Sequence, residues 1–285
     1  MGQLLKQGFL VCVFLFSFTG QATADPLADA QRAYSAGDYA KAAKLYVPLA
    51  KKGDVPAQYN LGVMYEDGQG VTQDYKEAVK WYRMAAEQGN AKAPSSIGSM
   101  YADGKGFLQD YKEAAKWYRM AAELGNASVQ YILGVNYDNG QGVPQDYKEA
   151  VKWYRMAAQQ GDAKAQSNLG VKYEHGHGVP QDHAEAVKWY RMAAEQGNAP
   201  AQRNLGVMYA NGEGVPQNYA LAYMWASIAA ASAADSEDQK KSAELRDSVS
   251  SLMTASQIAE AQELSRKCAG NKLNEIIPRL CREHK

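Results

Sequence analysis

The sequence predicts an all-α fold, an α-α superhelical solenoid of helical hairpins closed by capping helices at its C-terminal end. Three registers predict it. The five tryptophans, Trp81, Trp117, Trp153, Trp189 and Trp225, follow one another at 36-residue steps. Gly62, Gly98, Gly134, Gly170 and Gly206 keep that step, as do Tyr65, Tyr101, Tyr137, Tyr173 and Tyr209. A fixed period of about 20–50 residues means stacked supersecondary units, each too small to bury its own apolar face.

In chain order, residues 1–24 come first. Lys6 precedes the apolar run Gly8-Phe-Leu-Val-Cys-Val-Phe-Leu-Phe-Ser-Phe18, and the segment ends on the small residues Ala22-Thr-Ala24. This layout predicts a secretory signal peptide cleaved after Ala24. The run is well short of the roughly 20 residues that cross a bilayer. Cys12 lies inside it, without the small residues before it that a lipoprotein signal needs.

Residues 25–54 predict a shorter helical hairpin. Asp38-Tyr39, Ala42, Leu45-Tyr46, Ala50 and Gly53 stand one period before Asp74-Tyr75, Ala78, Trp81-Tyr82, Ala86 and Gly89. Five full units follow, over 55–90, 91–126, 127–162, 163–198 and 199–234. Within the first, Ala57, Leu61 and Tyr65 make the apolar stripe of one helix, which Gly68 ends in a left-handed cap. Asp74 and Glu77 open a second helix as a box-like pair, with Ala78, Trp81, Tyr82 and Ala85 as its buried stripe. Glycine inside a helix costs about 1 kcal/mol relative to alanine, so Gly62 and its equivalents predict a close approach of the paired helix. After Ala234 the period fails. Ser236 to Met253 reads as a polar helix, and Thr254-Ala-Ser-Gln257 opens another to about Lys267. Residues 235–285 are thus expected to cap the array, at least twelve repeat helices with two or three more behind them.

The pattern A-x-x-x-L-G-x-x-Y-x-x-G-x-G-V, then D-Y-x-E-A-x-x-W-Y-x-x-A-A-x-x-G, resembles the SEL1-like repeat, a relative of the tetratricopeptide repeat. Leu61-Gly62, Tyr65, Gly68, Gly70, Val71, Asp74, Ala78, Trp81-Tyr82, Ala85-Ala86 and Gly89 carry it in the first unit. Departures are Ile97 for leucine, Phe107 for valine, His183 for tyrosine and Ala226 for the second aromatic. The resemblance implies a scaffold or adaptor that binds another protein or peptide in a concave groove lined by the first helices.

Charge excludes two other classes. The chain has 31 basic and 31 acidic residues, and losing Lys6 with the leader tips the balance one charge acidic. Neither a nucleic-acid footprint nor a polybasic membrane patch is present. Catalytic and metal chemistry finds little support. The Gly68-Gln-Gly70 loops follow no strand, as a phosphate loop requires. His175, His177 and His183 share one unit, but their register positions elsewhere hold Asp67, Gln69 and Tyr75, so no metal site and no cofactor is expected. Some SEL1-like proteins are associated with penicillin binding, yet no serine here has lysine three residues on, and the paired cysteines of those relatives are missing. A hydrolase acting on cell-wall or carbohydrate substrates is the alternative reading. Cys268 and Cys281 form a possible disulfide in an exported chain.

Positions that differ between units are those the framework leaves free. In the first helices these are Tyr59 and its equivalents Ser95, Tyr131, Ser167 and Arg203, then Asn60 with Ser96, Ile132, Asn168 and Asn204, and lastly Met64 with Met100, Asn136, Lys172 and Met208. With the resemblance placing first helices on the concave face, the expected partner-binding residues are Tyr59, Asn60, Met64, Met100, Tyr131, Ile132, Asn136, Asn168, Lys172, Arg203, Asn204 and Met208. Tyrosine and arginine are favoured interface anchors, and methionine adapts to varied shapes.

Overall fold

A computed structural model of the chain describes residues 25–268, which form fourteen α-helices and no strand. The expected leader, Cys281 and the expected turn at Gly270-Asn271 lie outside the described residues. Two helices, α1 (Pro26–Ser35) and α2 (Tyr39–Lys51), make the first hairpin. The five units supply α3 (Val55–Asp67) with α4 (Tyr75–Glu87), α5 (Ala93–Asp103) with α6 (Tyr111–Glu123), and α7 (Ala127–Asn139) with α8 (Tyr147–Gln159). They continue with α9 (Ala163–His175) and α10 (His183–Glu195), then α11 (Ala199–Asn211) and α12 (Tyr219–Ser232). Behind them, α13 (Ser236–Ser250) and α14 (Ala255–Cys268) both pack on α12. Each repeat helix packs on its neighbours in the chain, the quasi-one-dimensional arrangement of a solenoid.

The helical glycine has a specific partner. A Cβ on Gly62, Gly98, Gly134 or Gly170 would sit 2.6 Å from ring carbon Cδ1 of Tyr82, Tyr118, Tyr154 or Tyr190. In four units, then, a tyrosine of the second helix lies flat on the bare backbone of the first. The fifth unit has Ala226 instead of tyrosine. There the space over Gly206 is met by Leu245 of α13, with Cδ2 3.3 Å from the same point. The capping helix replaces the aromatic that the last repeat lacks.

Gly68 and its four equivalents end the first helices in left-handed conformation, Gly68 at φ 70°. The second loop glycine answers to a different neighbour. A Cβ on Gly70 would lie 2.1 Å from the Tyr39 carbonyl oxygen, so each loop presses on the start of the preceding unit's second helix. Repetition of this contact locks successive units in register.

The predicted box at Asp74 is only half made. Asp74 Oδ1 accepts from Lys76 N–H (2.9 Å) and Glu77 N–H (3.1 Å), but its own N–H donates to the Tyr65 carbonyl at 3.0 Å. Glu77 pairs with Lys80 instead. A reciprocal box occurs at Thr254, whose N–H donates to Gln257 Oε1 (2.8 Å) while Gln257 N–H donates to Thr254 Oγ1 (3.3 Å).

A buried glutamine relay joins units. Gln130 Nε2 donates to the Ala122 carbonyl at 2.9 Å, and Gln160 Nε2 donates to Gln130 Oε1 at 2.7 Å. Gln58, Gln166 and Gln202 reach back in the same way. The second unit departs at both ends at once, with Pro94 in place of the first glutamine and Leu124 in place of the second. Pro94 lacks an N–H and disfavours helix before it, so α5 begins at Ala93 and has 11 residues where the other first helices of the units have 13.

Candidate interaction surface

On an α-helix, residues four and seven apart share a face. With Leu61, Gly62 and Met64 turned into the core, the free side of α3 runs through Tyr59, Val63 and Glu66, with Asn60 beside it, and these four are half-buried. The same register recurs along the array.

Aromatic contacts shape this face. The Tyr59 ring lies 5.5 Å from Tyr82, and Tyr131 lies 6.1 Å from Tyr154, both tilted. Each outer ring therefore leans on the ring that covers the helical glycine. Amides bridge the units. Asn60 Nδ2 donates to the Tyr46 hydroxyl at 3.2 Å. Asn168 stands beside the hydroxyls of Tyr131 and Tyr154, and Asn204 beside that of Tyr190. Ile132 occupies the same register, half-buried and apolar.

Carboxylates complete the pattern. Tyr82 donates to Glu66 Oε2 (2.8 Å), Tyr154 to Asp138 Oδ2 (3.2 Å) and Tyr190 to Glu174 Oε2 (2.5 Å). Burial, and then these neighbouring carboxylates, push all three phenols far above the ordinary tyrosine range. They are neutral donors at physiological pH. Lys172 Nζ reaches Asp138 Oδ1 at 2.5 Å, and Lys105 Nζ reaches Glu66 Oε1 at 3.5 Å. What this arrangement offers is recognition, through aromatic surface edged by fixed donors and acceptors.

Five of the sequence-predicted residues are not available on it. Met64, Met100 and Met208 are fully buried, and Asn136 and Lys172 are 6% exposed each. The reason is angular. Met64 stands five residues from Tyr59, about 140° round the helix at ~100° per residue, and faces the stack. Its register varies because several side chains fit that interior site, not because it is free. Conversely, Val63, Val135, Val171 and Val207 lie half-buried on the open face, and because valine repeats there, variation between units does not mark the register. Strict helical spacing from Tyr59 would have found them. Arg203 is on the face but already paired, with Nη1 2.5 Å from Asp238 Oδ1 of α13.

The histidines are elsewhere. His177 is exposed and stacks on Tyr147, 5.1 Å between centroids. His183 opens α10, with Nδ1 3.9 Å from Glu213. Among the described residues no group of three or more histidine, cysteine, aspartate or glutamate side chains could hold a metal ion. Cys268 is buried at the end of α14, and its pairing with Cys281 lies outside the described residues. No helix among the described residues is long and apolar enough to cross a membrane.

Hairpins stacked at constant period, with one open helix face edged by aromatics and amides, define a helical-repeat protein of the interaction class. The Sel1 repeat model matches residues 55–90, 96–126, 127–162, 163–198 and 199–233, and the chain belongs to that family, whose repeats mediate protein interactions. The second match starts at 96, just past the proline that delays α5. The crystal structure of a Sel1 repeat protein from Oxalobacter formigenes is similar at 35% identity and a TM-score of 0.69, over 73% of this chain and 86% of that one. That of c5321, described as a protective antigen present in uropathogenic Escherichia coli strains, is similar at 30% identity and 0.55, over 90% of this chain and 63% of that one. Comparison with curated proteins gave no match.

Proposed function

We propose that this protein is a non-catalytic scaffold or adaptor that holds a partner protein or peptide on its first-helix face, after export to the bacterial envelope or beyond it. The observation that carries the reading is the ladder of Tyr59, Asn60, Tyr131, Ile132, Asn168 and Asn204 across successive units, positioned by core tyrosines and varied from unit to unit. A surface whose frame repeats while its exposed residues differ suits an extended and specific partner. The three-part leader supports the export.

The test begins with a pull-down from envelope extract using the chain from Asp25 as bait. The double change Tyr59→Ala with Tyr131→Ala should then weaken binding of the captured partner at least thirtyfold by calorimetric titration, since truncating an aromatic anchor costs about 2 kcal/mol or more. A melting curve checks that the variant is folded. Full binding by the folded variant would move the site off this face. Turnover of a cell-wall substrate by the protein alone would replace the scaffold reading with the hydrolase.

A further inference from the structure

Away from the first-helix face, the junction of the first and second units breaks the repeat in a way that builds a cleft. The loop before α6 carries Phe107-Leu108, where the third to fifth units carry Val143-Pro144, Val179-Pro180 and Val215-Pro216 and the first Val71-Thr72. Phe107 stacks on Tyr101 at 5.0 Å and 26°, and Leu108 is 91% exposed. The loop also sits differently. Gly106 faces the Tyr75 Cβ, whereas Gly70, Gly142, Gly178 and Gly214 each face main chain at the start of the preceding second helix.

Between this loop and α4 opens a cleft of about 520 Å³. Val79, Met84 and Phe107 supply its apolar lining, and Lys76, Lys80 and Arg83 its polar rim, with no carboxylate in the lining. Lys80 is paired with Glu77, which does not line the cleft, and Arg83 donates to the Tyr101 hydroxyl at 2.9 Å, which holds its guanidinium over the Trp117 ring. Lys76 is exposed and in no ion pair among the described residues. A lone exposed leucine means nothing, but an apolar hollow rimmed by charge of one sign is the form of an interaction site.

We propose that this cleft is a second docking site, which takes a short acidic peptide segment with one bulky apolar side chain. The apolar side chain fills the space among Val79, Met84 and Phe107, and the flanking carboxylates meet Lys76, Lys80 and Arg83. Charge complementarity selects an acidic occupant. The enlarged Phe107-Leu108 pair selects a peptide over a purely anionic polymer, which would find the same cations on α6 and α8 (Lys112, Lys116 and Arg119; Lys148, Lys152 and Arg155) without the hollow.

The probe is the peptide acetyl-Asp-Glu-Phe-Glu-Asp-amide, with an alanine-for-phenylalanine peptide and polyglutamate as controls. The protein is labelled with 5-fluorotryptophan, and its five fluorine resonances are assigned by single Trp→Phe exchanges. The peptide should shift the resonances of Trp81 and Trp117, beside Lys80 and Arg83, and leave those of Trp153, Trp189 and Trp225 in place. Phe107→Val with Leu108→Pro, which restores the pattern of three other units, should lower the affinity at least tenfold. Lys76→Glu, a surface change at the start of a helix, should do the same, and raising the salt to about 0.5 M should weaken binding further. The proposal is overturned if no resonance shifts, if all five shift alike, if the controls bind as tightly, or if both variants keep full affinity.

Discussion

Gly134 and Gly206 hold the same register position and meet different things. Over Gly134 lies the Tyr154 ring, 2.6 Å from where a Cβ would be, while Gly206 has Leu245 and the Ala222 carbonyl at 3.3 and 3.2 Å. A fully buried tyrosine cannot retreat without moving its hydroxyl off Asp138. Gly134→Ala should therefore destabilise, by about 1–3 kcal/mol set against the ~1 kcal/mol that alanine gains in a helix, and Gly134→Leu by more. Gly206→Ala should be close to neutral, because the leucine methyl shifts easily, the Ala222 carbonyl need give only a few tenths of an ångström, and alanine's helix preference of about 1 kcal/mol offsets that small cost. Melting temperatures of the three variants check this. Equal losses at both glycines would show that backbone approach, and not the tyrosine ring, dictates the glycine.

At the scale of the element, α13 does more than shield the last repeat. Leu245 completes the core over Gly206 in place of the missing aromatic, and Asp238 takes Arg203 from the open face. Leu245→Ala should cost about 2 kcal/mol, the lower end for a leucine lost from a core, since its side chain is only partly buried. A chain ending at Ala234 should lose far more, because Trp225, Met224 and Ile228 of α12 are buried in the cluster that includes Val249 and Cys268. Chemical denaturation of both variants measures the difference. At α14, Thr254→Ala removes one side of the capping box and should cost about 1 kcal/mol. Little change in either capping helix's protection from hydrogen exchange would contradict that.

For the whole molecule, the expected circular dichroism is that of helix alone, and appreciable sheet signal would contradict the architecture. If the proposed export holds, N-terminal sequencing of the protein recovered from the periplasm or the medium should give Asp25 first; Met1 there would refute cleavage after Ala24. Because each unit touches only its neighbours, damage at one joint is felt chiefly on either side of it. The second unit is where that matters most. Its joint lacks the glutamine relay, its first helix starts late, and its loop carries Phe107-Leu108.

The architecture was legible because every repeat makes the same statement several times over. Trp81, Tyr65, Gly68 and Asp74 each report a local requirement, a buried ring, a left-handed cap or an N-cap, and a 36-residue echo separates requirement from accident. The open face was only half legible. Comparing units shows which positions vary, and it found Tyr59, Asn60, Tyr131, Asn168 and Asn204. It cannot separate a position free because solvent is there from one free because a loose interior accepts methionine, asparagine or lysine. Met64 and Lys172 were misplaced for that reason, and Val63 was missed because a residue can repeat and still face outward. The sequence by itself determined the helices, their ends and their stacking period, since those depend on spacing within one unit. Only the tertiary structure decided what lies over each glycine, that Leu245 stands in for a tyrosine, and which carboxylate each phenol holds. Those contacts join residues 16 to 39 positions apart, and their geometry comes from how one hairpin seats on the next.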